Sequence, residues 1–394
     1  MNVSNALKRL LKHKLSFSSE NIFLRDAIGR TLSKPLAIRK NIPEFDTSSM
    51  DGFAVKKSSL GKIKRFKILG EIPAGTNSSY VIEPNECVRV YTGSRMPKDT
   101  DFVVIQENTW IEGTIMHVET FDKKSPNVRK KGLDFKKGQV ITHPMIIDYK
   151  LISALASLNL EKVSVIKKPR VCIIPTGNEI LALGSKARKN RIYSSSPYGI
   201  KFLLEEEGAE TSILPVCRDK LDDLVCAFKN TKKSQVIITL GGVSKGNYDL
   251  IRKHYKKIGI KILIEGISIR PGKPIIMGTF GNKLIFCLPG NPISSIVCTR
   301  LFIVTLIRKM LTGRHNQLHT RQAILSKDIE DSKSQREHYM RAFTFQQGTT
   351  LYVKPFSQQD SSLHSVLIKS NCLLIIPSCS SPQKKGDVVE IIDF

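Results

Sequence analysis

The spacing of apolar and polar positions divides the chain into stretches of different texture. Residues 4–13 and 23–32 carry apolar residues at helical spacing and predict two short helices. Asn41-Ile42-Pro43-Glu44-Phe45-Asp46 breaks that pattern. Residues 53–120 hold short apolar runs cut by Pro73-Ala74-Gly75, Thr92-Gly93-Ser94, Lys98-Asp99 and Glu112-Gly113, which predicts a mostly β domain. Asn127-Val128-Arg129-Lys130-Lys131-Gly132-Leu133-Asp134 reads as a basic loop, followed by a helix over 150–158 and a strand over 162–166. From Pro169 onward strand and helix patterns alternate. Strands are predicted over 170–174, 211–215, 235–238, 275–278 and 284–287. Helices fall between them: one capped by Ser196, with Pro197 first and Gly208 beyond its end, one over 221–229 and one over 248–257. Pro289-Gly290-Asn291-Pro292 opens a longer helix that ends near Leu311, before Gly313. Residues 320–394 return to short β runs with polar turns, a small barrel or sandwich.

These elements predict a multidomain α/β chain. Its expected parts are an N-terminal helical and linker domain (1–45 plus 134–167), an inserted mostly β domain (46–133), a central three-layer α/β domain with a mainly parallel sheet (168–315), and a C-terminal β-barrel (316–394).

Open parallel sheets bind ligands beyond the C-terminal ends of their strands. Glu179, Asp219, Asp249, Arg270, Lys273 and Asn291 all follow predicted strands. Read singly, each is a cap or a turn residue; together they outline one rim. Thr239-Leu240-Gly241-Gly242-Val243-Ser244-Lys245-Gly246-Asn247-Tyr248-Asp249 is a strand-to-helix turn with three glycines. Such a turn presents backbone N–H groups to a phosphate. A carboxylate beside an anion needs a bridging cation, and Mg²⁺ takes oxygen ligands from carboxylates and phosphates together. The alternative is a Gly-rich turn with a helix-capping Asp249. Arg270 and Lys273 are suited to a second oxyanion, and Asn291-Pro292 starts a helix favourable to an anion.

Composition narrows the classes further. Hydrophobic content of 41% supports proper cores, and 394 residues suggest two to four domains. The eight Cys form no CxxC pair and no zinc spacing, which suits small core residues in a reducing, cytoplasmic compartment. Residues 1–15 alternate apolar and basic positions without the apolar core of a signal peptide, and no apolar stretch reaches membrane-spanning length. The net charge of +27, from 62 Lys and Arg against 35 Asp and Glu, invites a nucleic-acid reading. The basic residues are scattered in pairs such as Lys232-Lys233 and Lys256-Lys257, so they read as a solvated surface, with no specific nucleic-acid or membrane partner.

Phe45-Asp46-Thr47-Ser48-Ser49-Met50-Asp51-Gly52-Phe53-Ala54-Val55 closely resembles the FDNSAMDGYAV-type hallmark of the molybdopterin molybdenumtransferase family (MoeA, which includes the gephyrin E domain). Further motifs follow in that family's order: Thr92-Gly93 with Asp101-Phe102-Val103-Val104, Pro175-Thr176-Gly177-Asn178-Glu179, Gly241-Gly242-Val243-Ser244, Arg270-Pro271-Gly272-Lys273-Pro274, Leu288-Pro289-Gly290-Asn291-Pro292, and Gln359-Asp360-Ser361-Ser362. The resemblance implies insertion of molybdate into adenylylated molybdopterin with Mg²⁺-dependent release of AMP. It also implies a homodimer, with molybdopterin adenylyltransferase and molybdoenzymes as pathway partners. Among the implied catalytic carboxylates Asp51, Glu179, Asp219 and Asp249, the metal falls to Glu179 and Asp249. Phosphate falls to Gly241, Gly242 and Ser244, and molybdate to Arg270, Lys273 and Ser294. Thr92 with Asp51 would complete the site from the partner subunit. Gly93, Thr176, Gly177, Pro271, Gly272, Pro289, Gly290 and Asn291 would line the substrate. Three positions depart from the family pattern: Gly266 replaces a frequent basic residue, Leu133 a frequent Glu, and Lys245 a small or apolar one. The rival readings are a molybdopterin adenylyltransferase-like enzyme, whose loop ends in Thr-Gly where this chain has Val243-Ser244, and a gephyrin-type scaffold.

Overall fold

The apolar runs between residues 170 and 288 assemble into one six-stranded sheet. Its strands lie in the order Glu210–Ile213, Arg170–Pro175, Val236–Leu240, Lys283–Leu288, Ile276–Phe280 and Ile260–Glu265. The first four are parallel, Ile276–Phe280 is antiparallel to both its neighbours, and Ile260–Glu265 therefore runs the same way as the first four. The computed structural model describes residues 1–13, 18–77, 79–143, 145–242, 250–313, 318–329 and 334–394, the side chain of Leu250 excepted. The chain divides into two units, one of residues 1–21, 29–31 and 165–394 and the other of residues 22–28 and 32–164.

Both faces of the sheet are covered, so its strands are apolar throughout rather than alternating. Val236, Ile238 and Leu240 point into one core, with Phe286 and with Ile200, Leu204, Ile293 and Val297 from helices Ser196–Glu206 and Pro292–Cys298. Ile237 and Ile285 point into the other core, against Leu224, Phe228, Ile251 and Ile258 from helices Leu221–Lys229 and Leu250–Ile258. The Pro292–Cys298 helix continues through a π-helical turn, Thr299–Ile303, into Val304–Thr312, and Gly313 ends it at φ 68°. The N-terminal helix Val3–Leu11 buries Val3, Ala6, Leu7, Leu10 and Leu11 in the same core as Met310 and Tyr339.

The C-terminal strands close on themselves. Glu337–Gln347 pairs with Thr350–Pro355, then Arg321–Leu325, Val388–Asp393 and Cys372–Ile376 follow, and the last pairs back with the first. Closure into this five-stranded barrel removes exposed strand edges. Ile269–Arg270 adds to its rim by pairing with Glu337 and His338.

In the second unit the strands lie in the order Phe102–Ile105, Gly52–Val55, Glu86–Val90, Arg65–Ile72, Ile115–Val118 and Thr109–Glu112. Phe53 and Val55 pack on one face with Phe66, Cys87 and Phe102, while Ala54 packs on the other with Val88, Val90 and Val103.

Some expectations change. Residues 23–32 are not a helix: Ser19–Phe23 is a strand, Leu24–Asp26 makes one 3₁₀ turn, and Gly29 sits at φ 71°. The Leu24 N–H donates to the Glu161 carbonyl (2.8 Å), and Gly29 at positive φ stops any helix there. Ser195 is the residue before the helix and Ser196 its first residue. The strand before the glycine turn runs two residues further than its apolar core, to Leu240, because Thr239 and Leu240 remain in register with Cys287 and Leu288.

Ile238 is fully buried at the centre of the sheet. Ile238→Ala should cost about 2–5 kcal/mol, read as a lower urea midpoint; a loss under about 1 kcal/mol would contradict this packing.

Candidate functional site

Three neighbouring strands end level. Pro175, Leu240 and Leu288 are register partners, and each is followed by a turn: Thr176-Gly177, Gly241-Gly242 and Pro289-Gly290. The turns are nested by backbone bonds. Thr176 donates to the Leu240 carbonyl from N (3.0 Å) and from Oγ1 (2.9 Å), Gly241 N donates to the Leu288 carbonyl (3.0 Å), and Gly177 N donates to the Cys217 carbonyl (3.1 Å). A Cβ on Gly241, whose φ is 99°, would lie 2.9 Å from both the carbonyl and hydroxyl oxygens of Thr176. Only glycine accepts that φ and that approach together.

These turns border a cavity of about 430 Å³, with Glu179, Asn291 and Ser362 also on its wall. Glu179 is exposed, and among the described residues its carboxylate has no hydrogen-bond or ion-pair partner. Asp219 has a different place: its Oδ2 accepts the Asn178 N–H (3.0 Å), while Asn178 Oδ1 accepts the Asp219 N–H (3.2 Å). That reciprocal pair pins the turn that carries Glu179. Asn291 precedes the helix as expected, but its Nδ2 donates to Ser361 Oγ (2.9 Å) rather than leaving the amide free. Ser244 and Asp249, with Lys245, lie outside the described residues. Among the described residues no three His, Cys, Asp or Glu side chains converge on one point.

A second cluster lies where the Arg270-Pro271-Gly272-Lys273 loop meets the barrel. The Arg270–Pro271 bond is cis, and Gly272 sits at φ 109° where a Cβ would overlap Cys298 Sγ. Arg270 and Lys273 are exposed, and Ser294 is buried on the neighbouring helix. Arg341, on the barrel strand Glu337–Gln347, is fully buried. Its Nη2 donates to the Asp360 carbonyl (3.0 Å), whereas Nε and Nη1 have no partner among the described residues. Burial pushes this guanidinium down to about 10; the Asp360 charge opposes that shift and the Arg270 charge adds to it. A buried cation with two unmet donors is costly unless an anion supplies the acceptors.

In the second unit, Asp51 Oδ1 accepts from Thr92 N (2.7 Å) and Thr92 Oγ1 (2.9 Å). These two bonds, backbone first, hold the carboxyl below its ordinary value against a small burial effect, with help from Arg89. Gly52 is the first strand residue rather than a turn, paired with Ile105, and a Cβ there would strike the Val104 carbonyl of the adjacent strand. Gly93 turns the chain at φ 88° and donates its N–H to the Ser48 carbonyl (2.9 Å).

The structure adds residues that sequence reasoning did not single out for the site. Tyr193, Ser194, Ser195 and Ser196 line the cavity, and Ser362 joins them from the C-terminal region. The Ser-Ser-Ser run before Pro197 carries a capping signal only, and Arg341 lies in an ordinary strand pattern.

Glycine turns at the ends of parallel strands, enclosing a cavity beside a free carboxylate, define an α/β ligand-binding domain of the class that holds phosphorylated ligands. The comparisons agree with that class and make it specific. Family models for the MoeA N-terminal region (domains I and II), a probable molybdopterin-binding domain and the MoeA C-terminal region (domain IV) match residues 1–159, 172–309 and 322–394. A molybdopterin molybdenumtransferase of Staphylococcus epidermidis is 27% identical across 100% of this chain and 95% of its own length. One of Bacillus subtilis is 28% identical across 99% of this chain and 93% of its own. A crystal structure of the molybdopterin biosynthesis MoeA protein of Pyrococcus horikoshii superposes with a TM-score of 0.83 at 25% identity, covering 100% of both chains. The chain belongs to the molybdopterin molybdenumtransferase (MoeA) family, transferases of molybdenum cofactor biosynthesis.

Gly241→Ala should leave the protein folded with a loss of about 1–3 kcal/mol, while ligand binding at the turn falls at least about tenfold, since 1.4 kcal/mol is a tenfold change; unaltered binding would show that the turn's backbone does not shape the site. Asp51 has a lowered folded-state value, so its contribution is present above about pH 4 and is lost as pH falls through that value. The gap in denaturation midpoint between the parent and Asp51→Asn should therefore be constant from about pH 5 to 8 and close below about pH 4. A gap that widens in acid contradicts the assignment.

Proposed function

We propose that the chain inserts molybdate into adenylylated molybdopterin and releases AMP with the help of Mg²⁺. The observation that carries this reading is the pairing of two anion-suited clusters in one unit: the nested glycine turns with free Glu179, and buried Arg341 beside Arg270. The adenylyltransferase-like reading is not favoured, because the relatives that match the whole chain are named molybdenumtransferases. A scaffold alone would not require the unpartnered guanidinium nitrogens of Arg341.

In this reading the Gly242 N–H, with Ser244, holds the phosphate, and Gly241, whose N–H is held by the Leu288 carbonyl, shapes its seat with Thr176, Gly177, Pro289 and Gly290. Glu179 and Asp249 would hold Mg²⁺: Glu179 offers hard oxygen donors with no competing partner, the kind of ligand this ion takes alongside phosphate. When bound, the ion supplies charge neutralisation at the phosphate. Asp219 acts by fixing the Thr176–Glu179 turn through Asn178. Molybdate, a tetrahedral oxyanion, would accept from Arg341, with Arg270, Lys273 and Ser294 around it. Cleavage of the phosphoric anhydride leaves AMP, and the protein's part is positioning and electrostatic stabilisation. Asp51, Thr92 and Gly93 complete the site from a partner subunit in a C₂ homodimer. The chain works in the cytoplasm, takes its substrate from a molybdopterin adenylyltransferase and passes product to molybdoenzymes. Its working division is the four domains 1–45 plus 134–167, 46–133, 168–315 and 316–394.

The test is AMP release from adenylylated molybdopterin with and without molybdate and Mg²⁺, run on the parent and on Arg341→Met. The parent should release AMP only when both are present. Arg341→Met removes a buried, half-satisfied cation, so its melting temperature should equal or exceed the parent's. Its molybdate requirement should rise at least about tenfold. AMP release by the parent that ignores molybdate would refute the reading.

A further inference from the structure

The barrel hairpin formed by Glu337–Gln347 and Thr350–Pro355 has two unlike faces. Met340, Ala342 and Val353 point inward and are buried in the barrel core. The residues that alternate with them point outward. These stand in cross-strand pairs: Phe343 with Lys354, Phe345 with Tyr352, and Gln347 with Thr350. An outward position on a barrel needs no apolar side chain, yet this hairpin carries three aromatic rings there. Phe343 is 45% exposed, although its neighbour Ala342 is fully buried. Phe345 and Tyr352 are half-buried and stack, with ring centroids 5.6 Å apart and planes inclined by 16°. Cross-strand packing accounts for that pair, since facing aromatic residues stabilise a hairpin. It does not account for Phe343, whose opposite residue is a lysine. Half-buried Ile324 pairs with Tyr352 and extends the apolar face onto the adjoining strand. Lys354 is exposed and has no acidic partner among the described residues.

We infer that the outer face of this hairpin is a stacking platform for single-stranded nucleic acid. Bases stack on Phe343 and on the Phe345–Tyr352 pair, and Lys354 takes a backbone phosphate. Every base has a flat face, so exposed rings beside a cation hold a strand whatever its sequence. A duplex keeps its bases inside the stack and offers the rings nothing. A symmetric pair of copies would set this face against itself. That would bring two Lys354 side chains together between chains of net charge +27, which like charges oppose. The same net charge draws any polyanion to the protein by counterion release. The rings decide which polyanion stays bound once salt screens that attraction. The inference stands apart from the proposed function, since it uses none of the residues assigned to that site.

Full-length protein is titrated into a fluorescein-labelled oligothymidylate of about 12 nucleotides, within the span of one stacking site, and followed by anisotropy at about 0.15 M salt. An abasic strand of the same length carries the phosphates without the bases. The oligothymidylate should bind at least about tenfold more tightly than the abasic strand, and more tightly than the corresponding duplex. Phe343→Ala should weaken oligothymidylate binding about tenfold and leave abasic binding unchanged. Phe343→Trp keeps a stacking face and should bind within about threefold of the parent. Lys354→Ala should make the slope of log affinity against log salt shallower by about 0.7, the share of one phosphate on a single strand. Phe343 is largely open to solvent, so its replacement leaves the core intact, and equal melting temperatures check this. Four results each overturn the inference. They are no binding of the oligothymidylate, equal binding of the abasic strand, or parental affinity in both Phe343→Ala and Tyr352→Ala. The fourth is tighter binding to phosphatidylserine vesicles than to the oligothymidylate, which would make the face a membrane-docking surface.

Discussion

The close approach of three turns at the end of the parallel sheet is the constraint on which the site depends. Pro175, Leu240 and Leu288 stop in register, so the chain must leave three adjacent strands within a few ångströms. Hydrogen bonds from Thr176 to Leu240 and from Gly241 to Leu288 carry the ladder past the strand ends. That leaves no room for a side chain at Gly241, whose Cβ would meet Thr176. The two buried layers beneath are what hold the strand ends level: Ile238 and Phe286 in one core, Ile237 and Ile285 in the other.

Charge is distributed against the bulk composition. A surface rich in Lys and Arg surrounds a cavity with one carboxylate and no described cation. A fully buried cation, Arg341, lies instead on the barrel strand Glu337–Gln347, on the face opposite Met340 and Ala342 of the barrel core. Arg341 is fully buried and keeps two donors unmet, which costs stability in the free protein. Proteins keep such groups where a ligand satisfies them, and the nearby Arg270 loop is pinned to the same barrel strand through Ile269 and His338.

Much of the fold is legible along the chain. Apolar runs such as 236–238 mark strands buried on both faces, and the glycines at 177, 241 and 242 mark turns with positive φ. The inserted β domain shows itself by short runs and turn residues. The helical spacing of residues 23–32 misleads, because Ser19–Phe23 is extended, Leu24–Asp26 closes as a single 3₁₀ turn and Gly29 takes φ 71°. Asp219 looks like one more acid on the rim, and only the fold shows its carboxylate committed to the Asn178 backbone.

By itself the amino-acid sequence determined local conformation and kind: which segments are strands, which turns need glycine, where carboxylates follow strand ends, and which family's motifs appear in order. Those properties follow from steric limits and periodicity acting over a few residues. The tertiary structure alone decided which distant residues meet. It buried Arg341 with two of its nitrogens unpartnered among the described residues, set Ser195 against His364 across 169 positions, and placed Ser194 and Ser196 on one cavity wall with Glu179. Such pairings depend on burial and on the summed packing of whole layers, and no local spacing along a chain encodes them.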